Sequence, residues 1–254
     1  MAFHSDFEAT QGRSAAAFDA GLRAYMLRVY NWMALALVLT GATAYAVVHT
    51  SLRALFFHVV QRGDAFVIAP TGLGMISVFV PLAFVLVLSF GVNRLSRSTA
   101  QLLFLLFSVA MGVSMASLLL FYTGASVVRT FFIAASLYGF MSLWGYVTNR
   151  SLMGFGSFLS MGLIGLVIAS LVNMFLPAHG LTVLISFIGV LLFTGLTAYD
   201  TQRIKFSYQQ YAAALPAAEL RKMGVYDALT MYLNFVNLFQ FLLQFTGTRS
   251  DGRD

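Results

Sequence analysis

The stretch LTVLISFIGVLLFTGLTAYDTQ, residues 181–202, decides how this chain must be read. From Leu181 to Tyr199 it carries no charge, and a run of ~20 apolar residues is what a helix needs to cross hydrocarbon. The run then meets Asp200. A carboxylate inside a membrane costs on the order of 3 kcal/mol on insertion scales, so it needs a partner or a function.

Runs of the same kind recur on both sides. The spans expected are Ala24–Val48, Thr71–Val92, Thr99–Tyr122, Ser126–Val147, Gly154–Leu176, Leu181–Gln202 and Gly224–Thr246. Of the 254 residues, 59% are hydrophobic and 9% charged, against roughly 25% charged in a soluble domain. No segment between the runs is large enough for a second domain. The expectation is an all-α integral membrane protein with seven transmembrane helices: a polar tail at residues 1–23, a membrane domain at 24–246 and a polar tail at 247–254. The first tail lacks the basic-then-apolar layout of a cleaved signal peptide. Pro81 falls inside the second span and should bend it. Gly154, Gly156, Gly162 and Gly165 would let the fifth approach its neighbours closely.

The net charge of +6 comes from 15 Lys and Arg against 9 Asp and Glu. These bases sit in short loops, where they set orientation and meet lipid headgroups, and no exposed basic run interleaves with aromatics, so nucleic acid is not an expected partner. With the N-terminus inside, the inner segments hold Arg13, Arg23, Arg28, Arg94, Arg97, Arg150, Arg203, Lys205, Arg221 and Lys222; the outer ones hold Arg53, Arg62, Arg129, Arg249 and Arg253. That asymmetry places the N-terminus in the cytosol of a multi-pass cell-membrane protein. Seven crossings would leave the C-terminus outside.

Only Asp200 and Asp227, of nine acidic residues, lie in or at the edge of spans. Arg203 is three residues beyond Asp200, on the same helical face. One reading is an interfacial ion pair that ends the helix. The other is a functional site. The seventh span supports the second, because Asp227, Thr230, Asn234, Asn237 and Gln244 fall on one polar stripe. Such a stripe must face the interior of a bundle, which makes this helix central. Interhelical hydrogen bonding alone, at under ~2 kcal/mol a bond, would also account for it.

Catalysis finds little support. Tyr199-Asp200 and Tyr226-Asp227 invite comparison with intramembrane aspartyl proteases, but the Gly-x-Gly-Asp and Pro-Ala-Leu motifs are missing. The four histidines, His4, His49, His58 and His179, lie outside the spans, and the absence of cysteine excludes thiolate chemistry and Cys-bound metal. Gly112-Val-Ser-Met-Ala116 only half-resembles a nucleophile elbow and sits in a helical run. No enzyme, cofactor or resident metal is expected.

Two segments carry a name. Thr197-Ala-Tyr-Asp-Thr-Gln-Arg-Ile-Lys205 and Ala228-Leu-Thr-Met-Tyr-Leu-Asn-Phe-Val-Asn-Leu-Phe239 resemble the sixth- and seventh-helix signatures of the Bax inhibitor family, also called the transmembrane Bax inhibitor motif family. Gly21-Leu-Arg-Ala-Tyr-Met26 and Met141-Ser-Leu-Trp-Gly-Tyr-Val-Thr-Asn-Arg150 look like its bacterial members. The resemblance implies six helices around a central seventh, in a bacterial inner membrane, and a pH-sensitive calcium leak. In that picture two aspartates, one from each C-terminal helix, form a proton-sensing pair, and an arginine near the cytosolic end of the second helix latches onto it. Asp200 matches the first aspartate. Arg94 or Arg97 would be the arginine, with Asn93 a competing match and Arg203 the local alternative.

At the second aspartate this sequence departs. The family's Tyr-Leu-Asp-Phe is here Tyr232-Leu-Asn-Phe235. Two carboxylates sharing a proton titrate as a coupled pair; Asp200 and Asn234 would not, although the Asn234 amide would donate a charge-assisted bond to an ionised Asp200. Asp227 would be a substitute acid only across seven residues, ~10 Å of helix. The expected pathway residues are therefore Asp200, Asn234, Asn237 and Asp227, with calcium in transit rather than tightly held, since hard cations want several oxygen ligands. The competing expectation is a regulator without transport, which binds a membrane-anchored AAA protease or cell-death machinery through the tail Met1–Arg23.

Overall fold

The computed structural model describes residues 2–62, 65–91 and 94–250, with helix α1 at Ala2–His49, α2 at Arg53–Phe56, strands β1 at Phe57–Arg62 and β2 at Ala65–Pro70, α3 at Gly72–Gly91, α4 at Arg97–Phe121, α5 at Gly124–Val147, α6 at Gly156–Phe175, α7 at His179–Tyr211 and α8 at Ala217–Thr246. Asn93, Arg253 and the rest of 251–254 lie outside the described residues, as do the side chains of 1–18, which cover most of the N-terminal tail. Seven helices are long and apolar enough to cross a membrane, beginning with the Asp19–His49 part of α1. Their outward faces are apolar: Phe79, Phe90, Phe158 and Phe175 are each at least two-thirds exposed, which only lipid surroundings make favourable.

α8 is the centre. It buries 61% of its most apolar stretch, against 44% for α7 and 11% for α6. α1, α4, α5 and α7 pack directly on it, while α3 leans on α4 and α6 on α7. The other six spans are thus arranged around α8 in an inner four and an outer two. A helix with Asn234, Asn237 and Asp227 along one side cannot face lipid all round, and the bundle interior gives those groups partners.

Tyr232 pins the middle of the bundle. Its ring meets Phe104 and Phe107 edge-on at 5.8 and 5.6 Å, and its hydroxyl is 2.7 Å from Thr40 Oγ1 on α1. Close backbone approach is allowed where side chains are missing. A Cβ on Gly145 would fall on the backbone of Ala198, which sets how tightly α5 meets α7. Gly112 makes room for Thr40 and Thr43 of α1; it lies inside α4, so the Gly112–Ala116 segment is helix packing and no elbow. On α6, Gly156 faces Tyr199 and Gly162 faces Leu192, whereas Gly165, and Gly154 in the 3-10 turn just before the helix, meet open space. α3 continues through the buried Pro81.

Two features were not expected. The connection between the first two spans contains an antiparallel hairpin, Phe57 pairing with Pro70 and Arg62 with Ala65, anchored by Phe57 against Val47 and Ala116. The two C-terminal helices also overrun the expected spans. α7 passes Gln202 and continues to Tyr211, and α8 begins at Ala217 rather than Gly224.

Candidate functional site

The site lies where α5, α7 and α8 meet near the basic end of the bundle. α7 is held close to α5 by the Gly145–Ala198 contact, two residues before Asp200. Thr197 and Thr201 return their hydroxyls to the carbonyls of Phe193 and Thr197, 2.7 and 2.8 Å away, and Thr201 Oγ1 also lies 3.4 Å from Ser142 Oγ on α5 and from Tyr30 Oη on α1.

Asp200 is 6% exposed. Its Oδ2 accepts a hydrogen bond from Asn234 Nδ2 at 2.8 Å, across the α7–α8 seam. Its Oδ1 is 3.0 Å from Arg203 Nη2, an ion pair within α7. A buried ionised carboxylate without such partners would be strongly unfavourable, and a hydrogen bond to a charged group contributes about 1.5–3 kcal/mol. Both expected partners therefore reach Asp200, one from the same helix and one from α8. The pair does not end the helix, since α7 runs on beyond it.

Asp227 takes a different partner. Its Oδ2 accepts from Tyr25 Oη at 2.6 Å, tying α1 to α8. It is not hydrogen-bonded to Asp200, but both carboxylates are within electrostatic range of Arg203. Asn237 Nδ2 donates back to Leu233 O at 2.9 Å, so it does not join the Asp200 cluster. Gln244, at the far end of the stripe, accepts from Ser186 Oγ at 3.3 Å. Arg94 and Arg97 are exposed, and among the described residues the ion pair to Asp200 comes from Arg203.

Three supporting residues were missed by sequence reasoning. Tyr25 is one; it stands 202 positions from its acceptor, and no local spacing announces such a contact. Tyr138, buried on α5, donates to the Met231 carbonyl at 3.1 Å, beside the seam. Gln202 is buried and holds the α5–α6 connection, its Oε1 accepting from Leu152 N at 2.6 Å and its Nε2 donating to Arg150 O at 2.9 Å. Gln202 had been visible only as one letter of the motif. Among the described residues no three His, Asp or Glu side chains converge as a metal cage.

The family described as "Inhibitor of apoptosis-promoting Bax1" matches residues 22–251. An uncharacterized protein of Rickettsia prowazekii is 46% identical over 92% of this chain and 93% of its own. The inner membrane protein YbhL of Escherichia coli is 42% identical over 91% of this chain and 94% of its own. A protein of Caulobacter vibrioides, also uncharacterized, is 45% identical over 92% of each chain. With the motifs at Asp200 and Asn234 set on a central α8 and its neighbour, these matches establish that the chain is a multi-pass membrane protein of the Bax inhibitor family.

Proposed function

We propose that this protein is a calcium-permeable leak of a bacterial inner membrane, with its N-terminus cytosolic, gated at the α7–α8 seam. The observation that carries the reading is the buried Asp200 carboxylate, bonded across the seam to Asn234 and balanced within α7 by Arg203. The inner-membrane placement rests on YbhL, which is named for that membrane, and the orientation on the excess of Lys and Arg in alternate loops.

The chemistry is simple. While Asp200 is ionised, Asn234 and Arg203 both hold it, and the seam is closed. Protonation removes the charge that both partners bind, so acidification weakens the seam and calcium passes along the polar side of α8. Because residue 234 is an amide, a single carboxylate titrates at this bond, where a pair of acids would share a proton in coupled steps. In the open state the ion is handed along by the Asn234 and Asn237 amide oxygens and backbone carbonyls, a set too sparse in charge for tight binding. No bond-making chemistry is assigned to these groups.

The test is calcium flux into liposomes containing the purified chain, from pH 5 to 8. The native protein should leak more as pH falls, and Asp200→Ala should leak at every pH. If the native chain and Asp200→Ala both fail to pass calcium while folded, the leak is excluded and the non-transporting regulator becomes the better reading.

A further inference from the structure

α1 packs on α4 and α8, and α5 on α7 and α8, yet α1 and α5 share no packed seam. Between them lies a cavity of about 580 Å³, floored by Phe235 and walled by Met33 and Leu37 on one side and Ala135 and Gly139 on the other. Its lips, Leu27 and Leu143, are more than half exposed, so it opens sideways into the bilayer. Along α1 it reaches from Arg23 to Leu37, about 21 Å at 1.5 Å per residue. A second cavity of about 320 Å³, sharing Leu37, Phe131 and Phe235, prolongs it as far as Ala44.

The other end of this groove is polar. A wider recess of about 740 Å³ adjoins it, sharing Arg23, Leu27 and Tyr146, and adds Lys205, Gln209 and Asp19. Lys205 is held there by its own bond to the Tyr146 carbonyl, at 2.9 Å, with its ammonium 5.2 Å from the Tyr146 ring. Two bases against one acid leave the mouth with a positive surplus, at the depth where headgroups of the same leaflet sit.

We infer that this groove is a phospholipid-binding site: one acyl chain lies between α1 and α5, and an anionic headgroup sits against Arg23 and Lys205. The volume falls within the ~300–1,000 Å³ of ligand cavities, and a crevice at hydrocarbon depth must be filled by something apolar, since an unfilled one forfeits its packing contacts. Gly139 is the opening in the wall: a Cβ there meets nothing within 4 Å, and the same holds for Gly41 on the facing helix. The occupant is a lipid rather than another helix, because the groove tapers from a basic mouth into an apolar slot, which matches the charge and shape of one lipid molecule.

Native mass spectrometry of the full chain, released from mild detergent after titration with phosphatidylglycerol or phosphatidylethanolamine, tests this. One phosphatidylglycerol per chain should be retained. Gly139→Leu, which grows into open space, should lose about tenfold in lipid affinity, while Gly165→Leu on the open face of α6 should lose none. Arg23→Ala and Lys205→Ala should each cut the preference for the anionic lipid about fivefold, leaving phosphatidylethanolamine unaffected. Thermal melting verifies that each variant is folded, and Gly41→Leu serves if Gly139→Leu is not. The inference is overturned by no retained lipid, by retention indifferent to the groove variant Gly139→Leu or its stand-in Gly41→Leu, by no anionic preference in the native chain, or by a second protein chain as the occupant. Displacement of the lipid by millimolar inorganic phosphate would also overturn it, since the mouth alone would then be the site.

Discussion

Asn234 makes Asp200 the single acid on the α7–α8 bond, and the consequence is measurable. Calcium flux in the native chain should follow a one-proton curve, whereas Asn234→Asp, which restores a second carboxylate 2.8 Å from the first, should show two apparent steps. A native transition steeper than one proton would count against a single titrating acid at this bond. Tyr25→Phe removes the donor to Asp227 and leaves that carboxylate short of a partner. A loss of about 1.5–3 kcal/mol in unfolding free energy is expected, measurable by denaturation in detergent, and unchanged stability would show that the bond is dispensable. At this scale the sequence was partly readable. Asp200 stood out because a charge in an apolar run is costly, and the stripe on α8 gave Asn234. Tyr25 did not, because a tyrosine among apolar residues looks like core until its acceptor is known.

At the scale of elements, glycine placement separates positions that must stay small from positions that need not. Gly145→Val would push a side chain into the Ala198 backbone. It should force α5 away from α7, with a lowered melting temperature and disturbed flux, whereas Gly165→Val on α6, where nothing lies within 4 Å, should leave both unchanged. If both variants behave alike, the Gly145 contact is not what spaces the helices. The spans themselves were legible, because a 20-residue apolar run has few alternatives. Their ends were not: Arg203, Lys205 and Gln209 look like a loop to a hydropathy reading, yet α7 keeps its helix to Tyr211 because nothing in Ile204–Tyr211 breaks it. The β1–β2 hairpin was missed for the opposite reason. Phe57, Val59 and Val60 are good strand formers, but in so apolar a chain they offer no contrast with their surroundings.

At the scale of the whole molecule, the orientation proposed from the Lys and Arg asymmetry makes a testable prediction. A reporter active only outside the cytosol should be active when fused at the C-terminus, with the N-terminus remaining cytosolic; the reverse pattern would invert every statement about sides made above. The arrangement of helices adds one thing more. Arg203 and Asp200 belong to the same unbroken rod, so their ion pair cannot join two moving parts. It travels with α7. From Asp200 to Tyr211 that rod projects about 16 Å, and its far end, at Gln209, Gln210 and Tyr211, is exposed. Its inner side, at Ile204 and Tyr208, is nevertheless packed into the core, so this length of α7 is fixed to the bundle and the ion pair stays with the buried part of the helix.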